Sequence, residues 1–523
     1  MFDAVLIGGG HNNLVAGTYL ARAGWKVAIF ERNAQIGGCL RTDEVTQPGF
    51  RHDLLAGFHN LIFLSPAYHE LREQLEQQGL KYVRAEIPSA SLFPGGEVIC
   101  LHADLEATQA SVGARSRADA QACGRLYAIY RQVRHALAVA LSSPPPSLNT
   151  ALKAMGIRAS LGPRGTMQFL RMLFASTRDV AAYWFENPKV QAWFVPQARH
   201  TDAGPDTAGG GLAAWLYMCL AMDREAGTAI PAGGGQRLAE ALARVFRSLG
   251  GEIHAGQEVK KIVVRRGTAQ GVQLADGTVV EARRAVIASL APTRLFLDLV
   301  GSEQLPPEFV FMVRKYRYGT SLLKMDLALG REPEWIGGQE LSQAGVIHLT
   351  PSVDHMAQAY DEALRGYLPR EPLLVVGQPT AVDPDRAPPG KHILWILVRS
   401  APYELKGDAA DRIPGRAWDQ IKERYADRVI EILTHYCPNL KQELLARHVL
   451  SPPDLERLNP NLVLGDAGAG SFHLDQAFVF RPFPGWSRYR TPIRRLYLTG
   501  AATHPGPGVM GNSGFAVARL LAG

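Results

Sequence analysis

A run of three glycines near the amino terminus is the feature whose residue types and spacing most directly predict chemistry. The tripeptide GGG (residues 8–10) follows a short apolar segment, and His11 and Asn12 come next. In the pattern G-x-G-x-x-G, the first glycine permits a tight turn and the second lets the backbone approach a pyrophosphate. The start of the helix that follows then stabilises the phosphate charge. The segment predicts a phosphate-binding turn at Gly8 and Gly10.

Asn13 occupies the third glycine position of this pattern, and an acidic residue lies at the expected distance beyond it. The third glycine allows the helix to pack closely on the strand, a role that a modest shift of the helix could replace. We therefore expect Asn13→Gly to retain the nucleotide and to change stability only modestly. Glu31 ends the next apolar segment, about 20 residues on, where a carboxylate binds a ribose hydroxyl. Together these residues predict a dinucleotide site.

A second glycine pair bears on which dinucleotide is bound. Gly37 and Gly38 lie six and seven residues after Glu31, and Arg41 and Thr42 follow them. The pair lets another backbone segment reach the pyrophosphate, and an arginine binds phosphate oxygens bidentately. A simple NAD domain does not need this addition. The alternative is a chance glycine turn beside a surface arginine.

The elements that must position these residues form a strand–helix–strand unit. Ala4 to Ile7 is predicted to be a strand, Leu14 to Ala23 a helix and Lys26 to Glu31 a second strand. A length of about 30 residues is typical of a βαβ unit. A glycine-rich pattern of the same kind follows Ile230, and another follows the predicted strand Arg495 to Thr499. Nucleotide-domain patterns therefore occur at the start, middle and end of the chain.

The segments between these patterns predict an inserted domain. Residues 66–222 are predicted to be mostly helical, with a loop at 142–146, and strands are predicted between about 316 and 400. The predicted fold class is α/β (α+β overall), a discontinuous Rossmann-like nucleotide domain with an inserted substrate domain of mixed β-sheet and helices. The nucleotide domain takes in residues 1–65, 226–300 and 455–523, and the substrate domain takes in 66–225 and 301–454.

Two segments of the predicted substrate domain carry conspicuous polar residues. In Ser321 to Leu329, apolar residues alternate with Lys324 and Asp326, which predicts a half-buried or buried strand. The basic aromatic stretch Arg314 to Tyr318 is interpreted as a surface-facing β-edge or as a rim that touches a membrane.

Composition and charge exclude several classes of protein. The 523 residues are 46% hydrophobic and 20% charged, which indicates a globular chain of two domains. The net charge is +7, but lysine and arginine are scattered, so we interpret the charge as a solvated face and predict no nucleic-acid partner. The longest apolar run, Leu212 to Met222, is shorter than the roughly 20 residues that span a bilayer.

Cysteine usage and the amino terminus bear on compartment. None of the five cysteines forms a C-x-x-C or zinc-type spacing, and H-E-x-x-H is absent, which predicts a reducing compartment and no metal site. The first strand begins at the third or fourth residue, which leaves no room for a signal peptide. We predict a cytoplasmic protein, with contact to the inner face of a membrane as an alternative.

The carboxyl-terminal stretch LYLTGAATHPGPGVMGNSG adds a family resemblance. With the opening GGGHNN, the middle PAGGGQRLAEAL and the stretch LDQAFVFRPFPGW, it resembles FAD-dependent phytoene desaturase-related oxidoreductases, the phytoene dehydrogenase and carotenoid ketolase-like branch of the amine oxidase-type flavoproteins. The resemblance is specific in the nucleotide-domain segments and faint in the inserted ones. It implies that FAD is bound by Gly8, Gly10, His11, Asn12, Glu31, Arg32, Gly37, Gly38, Arg41, Thr42, Val259, Gly500, Ala501, Val509, Met510 and Gly511.

The same resemblance implies oxidation at a C–H bond, because a flavin accepts hydride. The leading hypothesis is desaturation, or a related oxidation, of an apolar or polyene-type substrate. The alternatives are an oxidase or dehydrogenase of a small amine or cyclic metabolite, and a non-catalytic flavin-binding interaction protein. No second NAD(P) fingerprint is convincing, so the predicted electron acceptor is O2, a quinone or another diffusible acceptor. His504, His59 and His473 are the candidate catalytic residues, because histidine titrates near neutral pH.

Overall fold

The computed structural model describes residues 1–144, 148–200, 202–225 and 227–523. Two seven-stranded sheets and three two-stranded pairings contain all the strands found in these residues. In chain order the strands are β1 (Phe2–Ile7), β2 (Val27–Glu31), β3 (Thr42–Asp43), β4 (His52–Asp53), β5 (Tyr82–Arg84), β6 (Ile87–Leu92), β7 (Val98–Leu101), β8 (Ala229–Pro231), β9 (Glu252–Ala255), β10 (Val259–Arg265), β11 (Thr268–Leu274), β12 (Val279–Ala288), β13 (Ser321–Leu329), β14 (Ala344–Leu349), β15 (Tyr367–Leu368), β16 (Leu373–Gly377), β17 (His392–Ala401), β18 (Gly407–Asp408), β19 (Leu444–Leu450) and β20 (Leu496–Leu498).

The described α-helices pack on both faces of the first sheet and against the second sheet. Among the described residues, none of them has the length and apolarity to cross a bilayer. In chain order they are α1 (His11–Arg22), α2 (Pro66–Gln77), α3 (Leu105–Gly113), α4 (Arg117–Ser142), α5 (Leu148–Phe174), α6 (Thr177–Trp184), α7 (Pro188–Phe194), α8 (Gly210–Ala221), α9 (Gln236–Ser248), α10 (Pro307–Arg314), α11 (Val353–Leu364), α12 (Pro379–Val382), α13 (Trp418–Thr434), α14 (Leu440–Glu443), α15 (Pro452–Leu458) and α16 (Asn512–Ala522).

The first sheet has the strand order β10-β11-β12-β1-β2-β9, with β20 on the other side of β12. Strands β20, β12, β1, β2 and β9 run parallel to one another. The carboxyl ends of parallel strands meet at one edge, where α/β proteins bind their ligands. The described strands of this sheet all come from segments predicted for the nucleotide domain, although the division into domains stays a prediction.

Close packing against α9 and α16 fixes the position of α1 on this sheet. A Cβ on Gly17 would lie 3.0 Å from the Phe246 ring of α9, and a Cβ on Gly514 of α16 would overlap the carbonyl oxygen of Asn12. The two glycines therefore allow α9 and α16 to approach α1 closely. The predicted helix start at Leu14 is three residues late, because α1 begins at His11, directly after the turn.

The second sheet has the order β19-β13-β17-β16-β14-β6-β7, and its pairings are antiparallel except for the one between β14 and β6. Strands β5 to β7 lie inside the segment that the sequence predicts to be mostly helical. This segment joins the second sheet through β6, which pairs with β14 and β7 and whose six residues are all buried. In the predicted loop at 142–146, α4 ends at Ser142, and Pro145 and Pro146 lie outside the described residues.

All nine residues of β13 are buried, including the polar members of its alternation. Lys324 and Asp326 pair with each other, and Asp326 lies 3.5 Å from Nδ1 of His52 and 3.6 Å from Nδ1 of His448. Although burial opposes it, the Lys324 ammonium together with the two histidines holds the pKa of Asp326 far below its usual range. The face of β13 that carries these charges is covered by the short hairpin that includes His52.

The prediction of a β-edge at residues 314–318 is wrong, whereas contact of this stretch with a membrane stays a prediction. Arg314 ends α10, and the described residues that follow it are irregular up to β13. Tyr316 is buried and its hydroxyl donates to the carbonyl oxygen of Ala469 at 2.8 Å. Arg317 pairs with Asp475. Tyr316 therefore packs inward, whereas Arg314, Lys315 and Arg317 are exposed, and of these three only Arg317 is ion-paired among the described residues.

Candidate functional site

A cavity of about 520 Å³ opens at the carboxyl edge of the parallel strands. Its wall combines the turns after β1, β2, β12 and β20 with the loop that follows α15. This is the edge at which ligands bind in open α/β sheets. The predicted cofactor residues that line it are Gly8, Gly10, His11, Asn12, Glu31, Arg32, Gly37, Gly38, Arg41, Val259, Gly500 and Ala501.

The two glycine segments lie side by side in this wall. Gly37 donates its N–H to the carbonyl oxygen of Gly9 at 3.0 Å, and Gly10 and Gly37 form an isolated parallel bridge. A Cβ on Gly10 would meet no atom within 4 Å, so the backbone of Gly10 faces open space. The sequence prediction that both segments reach one ligand agrees with this contact, although the ligand contacts themselves stay a prediction.

Positive potential converges on the same part of the cavity. The first turn of α1 contains no acidic residue, and its N-cap residue, Gly10, has no side chain to make a capping hydrogen bond. The free N–H groups of a helix start attract anions. Nε of Arg41 is buried without a hydrogen-bond partner among the described residues, while its NH2 group pairs with Asp43 at 2.7 Å. A phosphate would satisfy both features.

Glu31 is oriented by the turn that it faces. One carboxylate oxygen accepts the N–H of Gly9 at 2.8 Å, and the other accepts the N–H of Asn33 at 2.9 Å. Each carboxylate oxygen can accept more than one hydrogen bond. Glu31 therefore holds the glycine turn in place and keeps acceptor capacity for a ribose hydroxyl.

Asn13 does more than replace a packing glycine. Its side chain is fully buried, and its Nδ2 group donates to the carbonyl oxygens of Ile7 and Gly8 at 2.8 and 3.0 Å. Its Oδ1 accepts the hydroxyl of Thr499 at 2.9 Å. Asn13 thus fastens the first glycine turn to the end of β20, where Gly500 follows.

Several cavity residues were missed by sequence reasoning. Ser289 follows the last residue of β12, and Asn461 Nδ2 donates to its carbonyl oxygen at 3.1 Å. The Asn461 Oδ1 atom accepts the N–H of Ala291 at 2.9 Å. Ser289 could have been found, because β12 was a predicted strand and its carboxyl end lies at the binding edge. Asn461 carries no comparable signal, since its loop follows a helix that begins in the other predicted domain.

Four predicted cofactor residues do not line this cavity. The hydroxyl of Thr42 donates to Asp53 and accepts the N–H of Gln236, so it joins β3 to the start of α9. Val509, Met510 and Gly511 lie directly before α16. Met510 and Gly511 instead border a separate, much smaller pocket beside His11.

The three candidate catalytic histidines lie apart from one another. His504 Nε2 donates to the carbonyl oxygen of Ala140 at 2.8 Å. His59 Nδ1 lies 2.9 Å from the hydroxyl of Tyr82, and its Nε2 lies 3.4 Å from the carbonyl oxygen of Ala56. His473 is partly exposed, 3.7 Å from a carboxylate oxygen of Asp202. None of the three is among the residues that line the described cavity, and their catalytic roles stay predictions.

Burial makes three histidines near the site weak bases. It lowers the pKa of His11 to about 4, with a smaller contribution from neighbouring His59. It likewise lowers the pKa of His59 and of His504 to about 4. At neutral pH these side chains are uncharged, which suits hydrogen bonding and apolar contact better than proton transfer.

These pKa values predict that acid destabilises the protein. The folded pKa of His504, about 4, lies below the unfolded value, so the stability is present above about pH 6.5 and is lost as the pH falls toward 4. Glutamine can keep the hydrogen bond to Ala140 without titrating. We expect His504→Gln to reduce the pH dependence of the free energy of unfolding by about 1.4 kcal/mol per pH unit between pH 6 and 5. Denaturant titrations at pH 7, 6 and 5 measure this, and a slope equal to the wild-type slope would contradict it.

The fold and the cavity together define a class of protein, the α/β proteins whose ligand cavity lies at the carboxyl edge of a Rossmann-type parallel sheet. Within it, the chain belongs to the family described as flavin containing amine oxidoreductase, whose model matches residues 14–513. The predicted resemblance to amine oxidase-type and phytoene desaturase-related flavoproteins is therefore confirmed, and so is the predicted fold class. The protein is a flavin-dependent oxidoreductase, and as such it acts on a substrate and passes electrons to an acceptor.

Three relatives span nearly the whole chain. Pyridine nucleotide-disulfide oxidoreductase domain-containing protein 2 of Mus musculus is 31% identical over 99% of this chain and 93% of its own length. A limonene dehydrogenase subunit of Castellaniella defragrans is 27% identical over 99% of this chain and 94% of its own length. Phytoene desaturase of Fusarium fujikuroi is 24% identical over 97% of this chain and 86% of its own length.

Solved structures support the fold. An oxidoreductase from Methanosarcina mazei superposes with a TM-score of 0.60 at 19% identity, covering 99% of this chain and all of the other. Cyclohexylamine oxidase from Brevibacterium oxydans superposes with a TM-score of 0.58 at 14% identity, covering 100% of this chain and 98% of the other. At these identities the likeness concerns the fold alone.

Proposed function

We propose that the protein is an FAD-dependent oxidoreductase that removes hydride from a C–H bond of an apolar substrate, introducing unsaturation. The observation that carries this proposal is the composition of the cavity wall. The glycine turns after β1 and β2 and polar residues of several other loops form one part of the wall, while leucines such as Leu55 and Leu458 line the part that packs against residues of the second sheet. The site thus combines a dinucleotide cradle with an apolar region.

The extent of the cradle favours FAD over a mononucleotide. The cavity wall includes Val259 as well as the glycine turns and Ala501. In the proposed mode, Glu31 binds the adenosine ribose, Arg41 and the start of α1 bind the pyrophosphate, and Val259 contacts the adenine. A bound flavin supplies hydride acceptance, which no side chain of the protein can provide.

The apolar region of the cavity lies against the second sheet. Leu55 and Leu458 line the cavity and pack against a buried cluster that includes Leu322 of β13 and Leu397 of β17. This part of the wall is apolar, whereas the carboxylates that line the cavity belong to Glu31, Glu258 and Asp298. A hydrocarbon gains free energy of about 25 cal/mol for each Å² of apolar surface that it buries there.

The relatives support the same substrate class. The names of the limonene dehydrogenase subunit and of the phytoene desaturases refer to hydrocarbons, and the former relative aligns with almost the entire chain. The amine oxidases among the solved structures share the fold but fall below 20% identity. We propose O2, a quinone or another diffusible compound as the electron acceptor, since the sequence offers no convincing second fingerprint for a nicotinamide nucleotide.

Spectroscopy of the purified protein tests this proposal. We expect two visible flavin bands and FAD, rather than FMN, in the chromatogram of the heat-released cofactor. Three compounds are added separately under anaerobic conditions: a cyclic monoterpene, a linear polyene and a primary amine. We expect one or both of the hydrocarbons to bleach the flavin bands and the amine to leave them unchanged. Bleaching by the amine alone would contradict the substrate class. A colourless protein would contradict flavin binding, and a yellow protein that dithionite reduces but no substrate does would favour a non-catalytic role.

A further inference from the structure

Positive charge is concentrated in one helical stretch of the chain. Residues 120–178 contain eight lysine and arginine residues and no aspartate or glutamate. The other 464 residues carry 48 cationic and 49 acidic side chains, so this stretch accounts for the net charge of +7. The basic residues are scattered along the chain, as expected, but no acidic residue lies between them in this stretch.

The structure places this stretch in α4, α5 and the beginning of α6, and α5 consists of two helical segments that meet at a kink at Gly162 and Pro163. One side of α5 packs inward, where the Phe169 ring lies 5.8 Å from the ring of Trp215 and Met172 is buried. The other side carries apolar side chains that contact water. Met155, Met167 and Phe174 are 68, 65 and 59% exposed. A helix face with this many exposed apolar residues is unusual for a surface that contacts only water.

The cations of α5 lie among these apolar residues. Arg158, Arg164 and Arg171 are exposed, and no ion pair joins any of them to a carboxylate in the part of the chain that the structure describes. Arg171 instead stacks on the half-exposed ring of Tyr183 at 4.1 Å. In the neighbouring helices, Arg134 pairs with Asp223 and Arg178 pairs with Asp206.

We propose that the exposed face of α5 binds the surface of an anionic lipid bilayer. Helices that lie in a membrane interface combine apolar side chains, which enter the acyl boundary, with lysine and arginine, which contact the headgroups. Helix α5 itself contains no acidic residue that a negative surface would repel, and the exposed carboxylate beside Arg171 is that of Asp179 in α6. An acidic protein would neutralise the arginines but would leave Met155 and Met167 in water unless it also supplied an apolar groove. A bilayer accommodates both the apolar side chains and the arginines of this face.

This face is connected to the nucleotide domain. The last turn of α4 contacts the carboxyl-terminal glycine-rich segment, because the carbonyl oxygens of Ala140 and Leu141 accept hydrogen bonds from His504 and Asn512. Binding of α5 to a bilayer would therefore hold the cavity close to the membrane, from which an apolar substrate would be delivered. This role in substrate delivery rests on the proposed function, whereas lipid binding itself requires neither flavin nor turnover.

Vesicle co-sedimentation with the full chain tests the proposal. The probe is a vesicle of phosphatidylcholine and phosphatidylglycerol at 3:1, compared with phosphatidylcholine alone. Removing one cation near an anionic surface weakens binding about fivefold. We therefore expect Arg158→Glu/Arg164→Glu to weaken binding at least tenfold, and Met167→Ser/Phe174→Ser to do the same without a change of charge. Matched controls are Arg416→Glu/Arg424→Glu for charge and Leu364→Ser for an exposed apolar residue elsewhere.

The outcomes distinguish lipid binding from self-association of the chain. Binding that is selective for anionic vesicles, falls with salt and is lost only in the α5 variants supports the proposal. Wild-type protein that stays in the supernatant, or α5 variants that bind as well as the controls, would overturn it. Self-association that is lost in the α5 variants, without vesicle binding, would assign the face to a second copy of the chain. Flavin content and bleaching are measured separately, so failure of the proposed function does not affect this result.

Discussion

Gly10→Asp is expected to yield a folded but colourless protein. The φ angle of Gly10 is −75°, which any residue adopts, and a Cβ there meets no atom within 4 Å. The aspartate side chain would instead enter the cavity beside the start of α1, where we place the pyrophosphate. Two like charges 4 Å apart repel by about 4 kcal/mol at the effective dielectric constant near a protein surface. Flavin affinity should therefore fall at least a hundredfold, measured as the ratio of visible to 280 nm absorbance after purification.

Matched variants separate charge from volume and from folding. Gly10→Ala adds only a methyl group and should retain part of the flavin, with weaker affinity than the wild type. Gly156→Asp places the same side chain on an exposed helix position with no atom near its Cβ, and it should purify fully yellow. Full flavin content in Gly10→Asp would show that the nucleotide lies elsewhere, whereas an unfolded circular dichroism spectrum would point to a role in folding.

The part of the site that the sequence predicts well is the part that is local. Residues 2–31 form a strand, a turn, a helix and a strand whose signals lie within one βαβ unit, and the structure places Gly8, Gly10 and Glu31 around one cavity. The turn and its acidic partner are predicted from spacing alone, because the chain between them has a fixed length. The clearest differences are two early starts, since β1 begins at Phe2 instead of Ala4 and α1 begins at His11 instead of Leu14.

What could not be predicted depends on segments that meet only in the folded chain. The alternation in β13 suggests one polar face, but it does not show that His52 and His448 lie against that face and keep Asp326 ionised. Likewise, the interpretation of residues 314–318 as surface followed from their basic and aromatic types. The acceptor that draws Tyr316 inward, the carbonyl oxygen of Ala469, lies 153 residues away.

Asn13 shows the same limit at the centre of the fingerprint. Its position in the sequence predicts only a change in the packing of the helix on the strand, which a small shift of the helix would absorb. On that basis Asn13→Gly should change stability only modestly. Its partner Thr499 lies 486 residues further along, so the sequence gives no sign of the contact. The structure instead indicates that the asparagine side chain replaces glycine with a set of buried hydrogen bonds between the first turn and the end of β20.

We therefore expect Asn13→Gly to be strongly destabilising. Three buried hydrogen bonds contribute about 1 kcal/mol each to the free energy of unfolding, and glycine within a helix costs up to about 1 kcal/mol relative to alanine. The loss should be about 3 kcal/mol in the flavin-free protein, measured by denaturant titration. Flavin affinity should also fall, because Gly8 and Gly500 are no longer joined through this side chain.

A double-mutant cycle assigns the loss to the contact itself. Asn13→Ala removes the side chain without the backbone cost of glycine, and Thr499→Val removes the hydroxyl that donates to Asn13 Oδ1. Coupled groups give interaction energies of about 0.5 to 3 kcal/mol, whereas independent sites add within about 0.5 kcal/mol. We expect coupling in the first range. Additive losses, or an Asn13→Gly protein as stable as the wild type, would restore the simpler view in which residue 13 only fills space between helix and strand.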